Sequence, residues 1–156
     1  LLWLSREELA VDQNQVFAVR SVVQETIEQN RYLIVNKPVD VEFVPEDELQ
    51  LSIPPAILQI VLTNLIRNAI QNTASGKIRV IVKTDRVIVS DTGAGMEIED
   101  LKLDMQSHGR RDPNKGFGLG LSIVQRLCDR LGWKLEIESK IGLGTTVKLI
   151  FQTVKK

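Results

Sequence analysis

Lys77–Ser90 reads KIRVIVKTDRVIVS, two runs rich in β-branched residues separated only by Thr84 and Asp85. Side chains branched at Cβ are stiff at χ1 and fit a pleated surface better than a helix. A connection this short joins neighbouring antiparallel strands and leaves no room for a crossover helix. The stretch therefore predicts a hairpin. It argues for segregated helices and strands over a doubly wound parallel sheet.

Working outward on the N-terminal side, Pro54 and Pro55 open a segment continuing as AILQIVLTNLIRNAIQN. Its apolar residues recur at helical spacing, and proline is tolerated in a first helical turn. A helix is predicted there. Further upstream, SVVQETIEQNRYLI (Ser21–Ile34) places Val22, Val23, Ile27 and Leu33 or Ile34 at helical spacing, after a short extended piece from Val16. VDVEFV and LQLSI alternate apolar and polar residues around the acidic PEDE and predict a hairpin-like strand pair.

On the C-terminal side, residues 106–115 are polar and irregular and predict a loop. GLSIVQRLCDRLG carries Val124, Leu127, Cys128 and Leu131 on one stripe and predicts a helix ended by Gly132. KLEIES and TTVKLIF, around KIGLG, predict a last hairpin. The fold class expected is α+β: a two-layer sandwich with helices on one face of a mixed, mostly antiparallel sheet. Residues 1–15 read as the end of an upstream helix and a linker, and 16–156 as one domain. The start at Leu1 instead of Met suggests a piece of something longer.

Composition excludes several function classes. Of the 156 residues 43% are hydrophobic and 26% charged, ordinary for a globular chain. Twenty basic residues balance twenty acidic ones, so no global charge points to nucleic acid or to a membrane surface. No apolar run approaches the roughly 18 residues of a span, and no direct membrane contact is expected. One cysteine, Cys128, allows no internal disulfide and suits a reducing, cytoplasmic compartment.

Three motifs carry chemistry. On the Pro54–Asn72 helix, Asn64, Asn68, Gln71 and Asn72 share one face while Leu58, Val61, Leu62, Leu65 and Ile66 lie elsewhere. Asn is a poor helix former, and a solvated stripe is usually built from Glu, Lys or Arg. The stripe is either a solvated surface or a ligand face, and an amide oxygen is a hard, neutral donor suited to Mg2+. In KGFGLGLS, Lys115–Ser122, three glycines stand at alternate positions before a helix. They serve either loop packing or phosphate binding at a helix N-terminus. DTGAGM, Asp91–Met96, follows the strand RVIVS and is either a strand-ending turn or a binding loop. In the second case an ionised Asp91 accepts from the exocyclic amino group of adenine and disfavours guanine, which presents a carbonyl there.

In order and spacing, NLIRNA, DTGAGM, GFGLGL and GLGTT resemble the N, G1, G2 and G3 boxes of the GHKL ATP-binding superfamily of gyrase, Hsp90, histidine kinases and MutL. The resemblance is nearest to the catalytic domain of sensor histidine kinases and covers the chain from about Val16 onward. It implies the Bergerat-type ATP-binding fold, with ATP and Mg2+ as cofactors. Asn68 would hold Mg2+ and Asn64, with Asn72 on the same face, would lie near the phosphates. Asp91 would bind the adenine amino group, and Gly93, Gly95 and Met96 would shape the base pocket. Lys115, Gly116, Phe117, Gly118, Leu119, Gly120 and Leu121 would line the triphosphate, with Thr145 or Thr146 beside the base. The segment between the G1 and G2 boxes would be a lid over ATP.

Hydrolytic members of the superfamily carry a glutamate general base four residues before the Mg2+ asparagine. Here that position is Asn64, and a neutral amide takes no proton at neutral pH. Transfer to a nucleophile from elsewhere is therefore expected. The resemblance implies a histidine on a helical dimerisation domain of the same protein, and then an aspartate of a response regulator. The alternatives are an anti-sigma-factor-like serine kinase, or an ATP-binding regulatory or interaction module without phosphotransfer. The chain departs from the family in having Gln71 and Asn72 where a Lys often follows the N box, and in lacking a Phe-rich lid. Arg110 or Arg111, counted with Asn64 and Asn68 as catalytic, and Lys115 either supply that cation or form a solvated basic loop. His108 lacks a phosphoacceptor's helical context and reads as a lid residue, and Cys128 reads as core.

Overall fold

The structure, a computed structural model, describes residues 16–97, 99 and 118–151. Its elements in chain order are β1 (Phe17–Ala18), α1 (Val19–Asn30), a 3-10 turn (Arg31–Ile34), β2 (Val39–Pro45), β3 (Gln50–Leu51), α2 (Pro55–Asn72), β4 (Gly76–Val82), β5 (Arg86–Asp91), α3 (Gly118–Leu131), β6 (Lys134–Lys140) and β7 (Gly144–Ile150). Five strands form one mixed sheet in the order β2-β4-β5-β7-β6, and β1 pairs with β3 in a small second sheet.

The predicted 77–90 hairpin is present. Val80 stands opposite Val89 and Val82 opposite Val87, and Lys83 N–H donates to the Arg86 carbonyl at 2.9 Å to close the turn. The last hairpin is present as well, with Ile137 opposite Val147. Alternate residues on one face, Ile78, Val80, Val82, Val87, Val89, Val147 and Leu149, are buried beneath the helices. From the helical side Val19, Val23, Leu58, Leu62, Leu65, Leu121 and Val124 enter the same core. Each such burial is worth roughly 1.5–3 kcal/mol, and together they hold the two layers face to face.

The VDVEFV and LQLSI segments do not pair with each other. β2 runs parallel to β4 from Val39↔Gly76 to Pro45↔Val82, whereas β3 pairs with β1, Phe17 opposite Leu51. The acidic turn explains the difference. The N–H groups of Glu46 and Asp47 both donate to the Val82 carbonyl, at 3.0 and 3.1 Å, so the chain leaving β2 is tied to the end of β4 and cannot fold back on itself. α2 is then the crossover between two parallel neighbours, one strand-helix-strand unit inside an otherwise antiparallel sheet.

Helix ends shift by a few residues. α1 begins at Val19 and tightens into the 3-10 turn after Asn30. α3 begins at Gly118, so Gly118 and Gly120 lie in its first turn, not before it. Its other end is as expected: Gly132 has φ +75°, and Trp133 N–H reaches back to the Cys128 carbonyl at 2.9 Å, the left-handed cap that glycine permits. No helix of the described residues is long and apolar enough to cross a membrane.

Candidate nucleotide site

Two elements bring the motifs together: the C-terminal turn of α2 and the loop after β5. Thr92 N–H donates to the Lys77 carbonyl at 3.1 Å and Ala94 N–H to the Asn72 carbonyl at 3.1 Å. The DTGAGM loop is thereby fastened to the end of α2. Gly93 is required at this contact, because a Cβ there would collide with the Asn72 carbonyl. On the other side Met96 N–H donates to Ser139 Oγ at 2.9 Å, and Gly142 N–H to the Ala94 carbonyl at 2.8 Å, which joins the loop to the β6–β7 turn. Gly95 lies against the Lys140 carbonyl, so it packs two loops together. Met96 is half-buried and touches the core.

Asp91 ends β5 on the helix-facing side of the sheet and is only 6% exposed. Its Oδ1 accepts the N–H of Gly93 at 2.9 Å and of Thr145 at 3.2 Å. Both bonds fall on Oδ1, and among the described residues none is made to Oδ2. Burial pushes the carboxyl above its ordinary range, and the N–H groups of Gly93 and Thr145 pull it back only in part. The site holds a carboxylate with one oxygen fixed in place.

The register between β5 and β7 separates the two threonines. Asp91 stands opposite Thr145 and Ser90 opposite Thr146, so Thr145 shares the face of Asp91 and Thr146 points through the other side of the sheet. Thr145 is buried, and its hydroxyl hydrogen-bonds Ser139 Oγ at 2.7 Å. Thr146 instead pairs with Ser90, hydroxyl to hydroxyl, at 3.2 Å. Of the two candidates only Thr145 is beside the Asp91 carboxylate. A groove of about 520 Å³ is lined in part by Ser90, Asp91, Thr92, Glu138, Ser139 and Thr146, so it takes residues from both faces of the sheet at the Asp91 end of β5.

Along α2 the three asparagines differ. Asn64 is half-buried, and its Nδ2 donates back to the Ile60 carbonyl of its own helix at 2.8 Å. The Nδ2 atoms of Asn68 and Asn72 are buried with no protein hydrogen-bond partner among the described residues. An orphaned buried donor costs about 1–3 kcal/mol, so two in adjacent turns of one helix call for acceptors from outside the described residues. Gln71 is exposed. Among the described residues no cluster of His, Cys, Asp and Glu could hold a metal ion; the Asn68 amide oxygen is a hard, neutral donor of the kind that suits a cation shared with phosphate oxygens.

Other expected members are placed differently or lie elsewhere. Leu121 is fully buried in the core between the helices and supports the site from beneath without facing it. Arg110, Arg111, Lys115, Gly116 and Phe117, with His108 and the lid as a whole, lie outside the described residues. So do residues 1–15. Gly118, Leu119 and Gly120 form the first turn of α3. Cys128 is core, as its spacing predicts, and burial pushes its thiol up to about 12. Ser139, which ties Met96, Thr145 and the Gly144 carbonyl together, escaped the sequence reading. Its one signal was a hydroxyl in the otherwise charged and aliphatic strand KLEIESK.

Residues 54–155 match the family described as Histidine kinase-, DNA gyrase B-, and HSP90-like ATPase. Among curated relatives, the histidine protein kinase DivJ of Caulobacter vibrioides is 32% identical over 148 residues, 88% of this chain and 25% of that protein. The virulence sensor protein BvgS of Bordetella bronchiseptica is 38% identical over 112 residues, 62% of this chain and 9% of that one. The chain thus spans a quarter or less of the length of these two. Among solved structures, the catalytic domain of histidine kinase ThkA aligns with TM-score 0.69 at 26% identity, covering 87% of this chain and 93% of that one. Full-length ShkA in complex with AMPPNP aligns with TM-score 0.72 at 19% identity, covering 87% of this chain and 30% of that one. With the Asp91 pocket, the amide pair on α2 and this match over most of its length, the chain belongs to the histidine kinase-, DNA gyrase B- and HSP90-like ATPase family.

Proposed function

We propose that this chain is the ATP-binding catalytic domain of a sensor histidine kinase. It binds Mg-ATP and passes the γ-phosphoryl group to a histidine on a helical dimerisation domain of the same protein, from which it goes to an aspartate of a response regulator. The single observation that carries the nucleotide part is Asp91: a buried carboxylate with Oδ1 held by two main-chain N–H groups and Oδ2 left to accept from an amino group. Adenine offers that donor. That the similar ShkA structure is a complex with AMPPNP supports nucleotide binding by this fold, and the relatives' names support the kinase class.

At the phosphate end the Nδ2 groups of Asn68 and Asn72 would donate to phosphate oxygens, and the Asn68 amide oxygen would hold Mg2+, which would supply neutralisation of the phosphate charge. Asn64 offers no carboxylate to take a proton from water, and its amide is bonded to Ile60. Hydrolysis is therefore slow, and the chemistry is positioning for an incoming nucleophile. The bond between the γ-phosphorus and the β,γ-bridging oxygen breaks, a bond to the acceptor imidazole nitrogen forms, and ADP leaves with the electron pair. A cytoplasmic location suits a domain that consumes ATP.

The test mixes the chain with the helical acceptor domain and γ-labelled ATP and asks for acid-labile, base-stable label on the acceptor. Label that requires Mg2+ and Asn68 is the expected result. Binding of ATP with no transfer would instead make the chain a nucleotide-binding interaction module, the reading favoured by Gln71 standing where a lysine is common.

A further inference from the structure

Beyond the nucleotide site, a second cluster of charge lies on the outer side of the helical layer. Arg67, on the outward face of α2, reaches toward α1. Its Nε donates to Asn30 Oδ1 at 3.2 Å and its Nη2 to Tyr32 Oη at 2.7 Å. Asn30 is itself buried and fixed by donation from Nδ2 to the Thr26 carbonyl at 2.8 Å. Nearby, Lys37 Nζ donates to the Ile70 carbonyl at 2.7 Å, near the end of α2, where a cation is favoured. Every one of these partners is neutral. Among the described residues no carboxylate stands within ion-pair distance of Arg67 or Lys37, although exposed arginines and lysines elsewhere pair with Glu48, Glu28, Glu42, Glu46, Asp85 and Glu136.

Arg67 and Lys37 line one groove of about 410 Å³ with Leu33, Ile70 and Gln71. That volume lies within the range of roughly 300–1,000 Å³ typical of ligand clefts. Nη1 of Arg67, the remaining hydrogens of Lys37 and the amide of Gln71 offer donors, and among the described residues no acidic side chain lines the groove. Leu33 and Ile70 are its aliphatic residues, and Tyr32, whose hydroxyl accepts from Arg67, is 60% exposed. Fixed arginine and exposed tyrosine beside an apolar floor are the composition of a protein-binding patch. α2 itself has Arg67 as its only charged residue, so nothing on its own helix neutralises the guanidinium.

We propose that the groove between the 3-10 turn and the C-terminal half of α2 docks an acidic polypeptide segment. Carboxylates of that segment meet Arg67 and Lys37, and an apolar side chain beside them rests on Leu33 and Ile70. A bare inorganic anion would meet the same donors but leave the aliphatic Leu33 and Ile70 without a partner, so an extended segment fits better.

The experiment titrates the full chain into a fluorescent peptide alternating Glu and Leu, and separately into its Lys-Leu counterpart, reading anisotropy at low and high salt. The acidic peptide is expected to bind and the basic one not, with affinity falling as salt rises. Arg67→Gln and Lys37→Gln are each expected to weaken the acidic peptide about tenfold while calorimetric ATP binding stays unchanged. Arg67 also ties α1 to α2, so Lys37→Gln, which removes a single bond to a carbonyl, guards against a folding artefact. Equal binding of both peptides, or no effect of either substitution, overturns the proposal. Displacement of the peptide by inorganic phosphate at equal concentration also overturns it, since the groove would then be a small-oxyanion site. Peptide binding without ATP binding would sink the nucleotide reading and leave this one standing.

Discussion

Asp91 Oδ1 accepts the main-chain N–H of Thr145 across the β5–β7 ladder at 3.2 Å, and the same oxygen accepts Gly93 N–H at 2.9 Å. One strand pairing thus aims the carboxylate and closes the turn that follows it. The arrangement keeps Oδ1 occupied and Oδ2 available.

Because burial raises the Asp91 carboxyl above its ordinary value, its ionised form is less favourable in the folded chain than in the unfolded one. The sign follows: this group's contribution to stability declines as pH rises from the unfolded value through the folded one, and stays unfavourable at neutral pH. Asp91→Asn keeps an acceptor for Gly93 and Thr145 and removes the charge. The nucleotide-free variant is expected to melt at the same or a higher temperature than wild type at pH 7, with ATP affinity at least tenfold lower. A melt with and without ATP reads both.

Asn72→Ala removes a buried donor that is unpaired among the described residues. Thermal melts without nucleotide are expected to change little, whereas calorimetry should show ATP bound several-fold more weakly. Asn68→Ala is expected to abolish Mg2+-dependent phosphoryl transfer with a smaller loss of metal-free nucleotide binding, and wild-type transfer in that variant would remove Asn68 from the metal role.

Thr145 and Thr146 form an internal control. Thr145→Val severs a buried hydroxyl contact with Ser139 on the Asp91 face and is expected to weaken ATP binding. Thr146→Val, on the opposite face, should leave calorimetric affinity within about twofold of wild type. The reverse ranking would mean the nucleotide approaches from the Thr146 face of the sheet.

Gly144 has φ +115°, and a Cβ there would strike the Asp91 carbonyl. Gly144→Ala is therefore expected to cost about 1–3 kcal/mol, read as a lower midpoint in urea with unchanged slope.

What was legible in the sequence follows from how local each determinant is. The 77–90 hairpin and the last hairpin are set by short connections, and α2 by its periodicity, so pattern alone placed them. The partner of β2 depends on Glu46 and Asp47 bonding Val82, some 35 residues away in the chain, and no local pattern encodes that. Asp91 was legible because a charged residue ends a β-branched strand before two glycines. The choice between Thr145 and Thr146 was not, since it rests on strand register, and a one-residue shift reverses faces. Leu121 looked like part of a glycine-rich phosphate loop, but the helix starts early enough to turn it into the core.

The central claim is that Asp91 Oδ2 reads the amino group of adenine. Calorimetry of the full chain with Mg-ATP and Mg-GTP under identical conditions tests it most directly. ATP should bind at least tenfold more tightly than GTP in the wild type, and the gap should close in Asp91→Asn through loss of ATP affinity. Equal affinities for the two nucleotides in the wild type, or an unchanged preference in the variant, would contradict it.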